Sequence, residues 1–145
     1  YFGLHSIFVS GVLGQSAGLK VLLEGFKMLT AAAIIVFLTG IAHSYLGEKY
    51  ILIRLFRRDN LPELLGSDEF TKNTLRFTWH ITSITWFGLA AVLQFDNNHS
   101  TLFLYSIATI SFISAAMAAF FTKGKHLSWI AFLTVSMLTY LSVSL

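Results

Sequence analysis

The sequence predicts an all-α integral membrane protein: a compact bundle of four transmembrane helices, with an interfacial cytoplasmic connection and an N-terminal helical segment open to several readings. Three observations carry this. Of the 145 residues, 55% are hydrophobic and only 12% charged, too apolar for an ordinary soluble domain. The charges are also segregated, because residues 28–47, 77–95, 97–122 and 126–145 contain no Lys, Arg, Asp or Glu. Each run is about 20 residues or longer, enough to cross a hydrocarbon core of roughly 30 Å as a helix. Finally, a stretch such as AAAIIVFL lacks the alternation of a membrane β-barrel. A soluble bundle would have to bury four such helices under short polar joins, which are too small to cover them.

Taken in order, residues 1–27 stand apart from a transmembrane domain over residues 28–145. Three readings fit this first segment: an additional membrane span, a helix lying at the interface, or sequence introduced upstream of a natural start at Met28. It is a poor signal peptide, since its lysines follow the apolar stretch instead of preceding it. The first span, residues 28–47, offers Ala31, Ala32 and Ala33 as a close-packing surface, and Gly40 and Gly47 bracket His43. Residues 50–58 mix long apolar side chains with Arg54, Arg57 and Arg58, the composition of a segment lying on a membrane surface against anionic lipid.

Asn60, Leu61, Pro62 and Glu63 predict a short capped helix continued by Leu64 and Leu65 and ended at Gly66. Ser67, Asp68 and Glu69 then cap the second long helix. On that helix Asn73, Arg76, His80, Ser83 and Phe87 recur at steps of three and four and share one face. A turn at residues 96–100, with His99 in it, leads into the third span, where Tyr105, Thr109 and Phe112 form a polar-aromatic stripe. The fourth begins near His126. Short joins predict that the second, third and fourth spans are successive antiparallel neighbours.

Lys49, Arg54, Arg57, Arg58, Lys72 and Arg76 lie between the first two spans, and Lys123 and Lys125 between the last two; the turn around Asp96 has none. The positive-inside bias places residues 48–76 and 123–125 in the cytoplasm, with a bacterial inner membrane as the fitting compartment. Lys20 and Lys27 oppose this orientation and are outnumbered. Nucleic acid is not a partner, because Glu48, Asp59, Glu63, Asp68 and Glu69 interrupt the basic residues. The absence of cysteine excludes disulfides and thiolate chemistry.

His43 and His80 each lie four residues inside a boundary residue, Gly47 and Arg76, and so at one depth, about 6 Å inward. With Glu48, Arg76 and His126 they form a candidate constellation at the cytoplasmic end, where ionisable groups point to function. His43, Glu48, Arg76 and His80 are the candidate ligand-binding residues; His43, His80, His126 and Glu48 are the candidate metal ligands. Three chemistries suit them: heme b held by two imidazoles, a zinc or iron ion, or recognition of a lipid headgroup, quinone or subunit. Internal bonding among the same groups, such as Arg76 with Glu48, is the competing explanation. Trp79 reads as an aromatic-belt residue facing lipid, or with Trp86 as a frame for an amphipathic ligand.

Neither Ser83 nor Ser44 reads as a nucleophile: Ser83 has no relay, and Ser44 diverges from the adjacent His43. His5 has no assignable partner. No catalytic motif is recognisable, so the sequence leaves enzymatic activity open. The reading it favours is a small accessory or scaffold protein with membrane lipids and a membrane-protein partner or a second copy of itself as contacts. The alternative is a heme- or metal-binding oxidoreductase component using His43 and His80. A transporter lacks an acidic residue near the midplane to relay ions.

Overall fold

The uncharged runs become the long helices of an all-α fold. A computed structural model describes the backbone of residues 2–63, 66–95, 98 and 100–144, and their side chains from residue 16 onward. In order these are α1 (Phe2–Gly47), a π-helical turn (Glu48–Leu52), the single turn α2 (Ile53–Leu55), α3 (Asp68–Phe95), α4 (Thr101–Thr122) and α5 (Ser128–Ser144). Residues 2–27 continue the first span as one helix. Nothing in that stretch breaks it, since the one proline of the chain is Pro62. With 46 residues, α1 is about 70 Å long, and its N-terminal part outruns the rest of the bundle, because Gly25 already packs beside the last turn of α5 at Ser142.

The connection differs from expectation at one point. Residues 60–63 are irregular rather than helical, and Leu64 and Leu65 lie outside the described residues. Instead of starting a helix, Pro62 offers its carbonyl to the Thr71 hydroxyl at 2.6 Å, which pins the loop to α3. Asp68 and Glu69 do open α3, where the positive end of the helix dipole favours their charge. Asp96, Asn97 and His99 are outside the described residues, but Ser100 caps α4 by accepting from the Phe103 N–H at 3.2 Å. At the far end of α4, Lys123 and Gly124 take left-handed φ values of 52° and 73°. This lets the Gly124 N–H reach back to the Ala119 carbonyl at 2.8 Å.

The neighbours are not those that chain order suggests. α1 packs between α3 and α5, and α5 packs between α1 and α4, whereas among the described residues α3 and α4 come nowhere within 8 Å backbone to backbone. The expectation of three successive antiparallel neighbours is therefore corrected: the turn at 96–100 joins two helices that each lean on something else. α1 and α5 supply the middle of the row. A core of Ala32, Ala33, Val36, Ala90, Leu93, Leu104, Ile107 and Val135 holds the four together, and its alanines allow the close backbone approach that the sequence signals.

Two stretches are long and apolar enough to cross a membrane, Ser16–Leu55 and Thr101–Thr122, while α5 is a shorter apolar helix. Large apolar side chains also face outward on every long helix, among them Leu22 and Leu38 on α1, Phe77 and Ile84 on α3, Ile110 and Phe120 on α4, and Met137 on α5. The polar site lies at the end of the α1/α3 pair away from this core.

Candidate functional site

Two glycines decide how α3 lies on α1. Gly40 sits beneath the Phe87 ring, where an added Cβ would come within 2.6 Å of a ring carbon, and Gly47 sits still closer beneath the Trp79 indole. The indole N–H donates to the His43 carbonyl at 3.0 Å. Its ring stacks on the His43 imidazole, with centroids 4.6 Å apart and planes 9° from parallel. Trp86 meets the same imidazole edge-on at 5.0 Å and continues to Phe132 of α5 at 5.4 Å. Trp79 is thus an inward packing residue, which corrects its reading as a lipid-facing belt residue. What the two tryptophans frame is His43 itself.

Beside this aromatic column runs a polar chain. Arg76 grips Glu48 with two nitrogens, Nη2 to Oε1 at 2.9 Å and Nε to Oε2 at 3.2 Å. His80 Nε2 reaches Glu48 Oε2 at 3.3 Å, and His80 Nδ1 lies 2.6 Å from the Ser44 hydroxyl. Proton placement follows from the partners. An ionised carboxylate only accepts, so Nε2 carries the hydrogen; Nδ1 of the neutral ring then accepts, and Ser44 donates to it. Glu48 is the first residue of the π-turn, whose Ile53 N–H bonds back to the Glu48 carbonyl, and such turns are frequent at functional sites. It lies just beyond the uncharged run 28–47. Burial opposes its charge, but hydrogen bonds from Arg76 and His80 and their attraction outweigh this and hold its carboxyl below the usual range.

The structure therefore brings Glu48, Arg76 and His80 together, and places His43 next to them with different partners. His126 does other work: its Nδ1 lies 2.7 Å from the Ser128 hydroxyl and accepts from the Ser128 N–H at 3.3 Å, at the start of α5. Among the described residues no three His, Cys, Asp or Glu side chains gather as a metal-binding set. Ser44 is the residue that sequence reasoning dismissed, because it diverges from the adjacent His43; its partner is instead His80 on α3. The signal was a matched spacing: Ser44 and Glu48 are one turn apart on α1, and Arg76 and His80 one turn apart on α3. The Ser83 hydroxyl, one turn along α3 from His80, is buried without a hydrogen-bond partner among the described residues, as are those of Thr30 and Thr139.

Elsewhere, a groove of about 310 Å³ runs between α4 and α5, with Thr109, Phe112, Ser136 and Tyr140 in its walls. Thr109 and Phe112, two of the three residues of the stripe predicted on the third span, thus lie on one side of it. Comparisons with protein-family models, with curated proteins and with solved structures find no match to this chain.

Proposed function

We propose that the chain crosses the membrane four times and acts as an accessory or scaffold protein, holding anionic lipid headgroups at its cytoplasmic end and packing against a membrane-protein partner or a second copy. One observation carries the reading: an outward-facing apolar surface on all four long helices gives way abruptly, after Gly47, to a basic collar. Contiguous exposed apolar surface of this extent is unstable in water. In the collar, Lys49 Nζ lies 5.4 Å from the ring centres of both Tyr45 and Tyr50, and Arg54 lies 5.6 Å from that of Tyr50. Cations over tyrosines suit the headgroup layer. Leu52, 2% exposed, fastens the collar to the bundle, and Arg57 and Arg58 form no ion pair among the described residues.

The Glu48, Arg76 and His80 cluster supports this reading as the clasp that sets the collar's position. A heme or metal held by His43 and His80 is less well supported, because Ser44 and Glu48 already engage both ring nitrogens of His80. The test is lipid retention on purification from native membranes. Anionic phospholipid is expected to copurify with the protein and to be lost when Arg54, Arg57 and Arg58 are changed together to Ala. Equal retention of anionic and zwitterionic lipid by both proteins would overturn the proposal. Stoichiometric iron or zinc that disappears on His43→Ala and His80→Ala would favour the alternative.

A further inference from the structure

We propose that Ser44, His80 and Glu48 form a nucleophilic relay that hydrolyses carboxylic esters carrying an apolar acyl chain. The relay shares its Glu48, Arg76 and His80 contacts with the clasp described above but does not require lipid to be held, and it rests on the register of α3 against α1. The order of contacts is that of a serine hydrolase with the two ring nitrogens exchanged: hydroxyl to imidazole Nδ1 at 2.6 Å, Nε2 to a carboxylate at 3.3 Å, and the carboxylate steadied by two further bonds from Arg76. Triads are recognised by geometry and roles rather than by sequence order.

Ser44 differs from most helical hydroxyls, and from Ser136 and Thr71, which reach the carbonyls of Ala108 and Pro62, in having an imidazole as its partner. Thr39, Thr78, Thr85, Ser106, Thr109 and Thr134 each bond back to the carbonyl four residues earlier on their own helix, the ordinary fate of a mid-helix hydroxyl. Ser44 instead points across to His80. The relay is also reachable, since His80 keeps 34% of its side chain exposed. By helical register, Ile41 of α1 and Phe77 and Ile84 of α3, all exposed, share the outward flank of the Ser44–His80 pair. That flank is an apolar bed for an acyl chain, with its ester at Ser44.

The chemistry balances with water as the second reactant. Ser44 Oγ bonds to the ester carbonyl carbon while its proton passes to His80 Nδ1. The carbon–oxygen bond to the alcohol then breaks, and His80 returns the proton to the departing oxygen. Water repeats the sequence on the acyl-serine and releases the carboxylic acid. Glu48 stays ionised and stabilises the imidazolium formed in each half. Arg76, with Nε and Nη2 on Glu48, holds that carboxylate in place behind the imidazole.

A fluorophosphonate probe tests this on the full chain in lipid nanodiscs: Ser44 Oγ displaces fluoride from phosphorus, and the adduct is located by peptide mass. The expected result is an adduct on Ser44, its absence in Ser44→Ala, and labelling and p-nitrophenyl ester hydrolysis slowed about 100-fold or more in His80→Gln. No adduct on the wild-type protein, or labelling equally fast in His80→Gln, would overturn the relay and leave the contacts as a clasp. Should His80→Gln fail to fold, Ser44→Ala, which removes only an oxygen, decides the question by loss or retention of ester hydrolysis.

Discussion

Gly47 shows how much one missing side chain can hold. The Trp79 indole occupies the place of its Cβ, which lets the ring stack on His43 and donate to the His43 carbonyl. Gly47→Ala therefore forces the indole out. Overpacking of this kind costs about 1–3 kcal/mol, and the expected outcome is a lower unfolding midpoint in detergent with a red shift of tryptophan emission; Gly18→Ala, with nothing within 4 Å of its added Cβ, should leave both unchanged. The spacing of α3 announced that Arg76, His80, Ser83 and Phe87 face one way. It did not announce Ser44, whose partner lies 36 residues away on another helix.

Between elements, the α1/α3 contact is closed at one end by packing and at the other by charge. Its sensitivity to acid follows from Glu48. The carboxyl is held below its ordinary value of 4.5 in the folded state, so the unfolded chain binds more protons near that pH and stability rises with pH there. The contribution is full above 4.5 and is lost as the pH falls below it, through the folded-state value. Thermal unfolding should accordingly separate wild type from Glu48→Gln near neutral pH, and the gap should narrow on acidification. The effect is modest because both partners are partly exposed. A gap unchanged at acid pH would mean that Glu48 contributes through packing alone. The π-turn that begins at Glu48 was not legible as such: the sequence showed only a change of polarity after Gly47.

For the whole molecule, the proposed four-crossing topology makes a prediction that the absence of cysteine renders clean. Single cysteines at Arg58 and Gly124 should react with a membrane-impermeant maleimide only from the cytoplasmic face, and one at Asn98 only from the opposite face. Labelling of positions 58 and 98 from the same side would remove the crossing by α3, the most polar of the long helices. The side of the bundle where, among the described residues, the backbones of α3 and α4 come nowhere within 8 Å is a second feature of this scale. α1 is then the main support of α3, which also reaches α5 through Trp86 and Phe132.

The residues alone determined that the chain is helical, where the long uncharged runs lie, and which face of α3 turns inward, because Arg76, His80, Ser83 and Phe87 recur on it at steps of three and four. They did not determine which helix packs on which. α1, α4 and α5 are apolar around most of their circumference, and a helix apolar on every face carries no direction for its partner. Close fit chooses instead, through Gly40 beneath Phe87, Gly47 beneath Trp79 and the buried alanines. That fit set the register in which Ser44 meets His80, and with it the chemistry of the site.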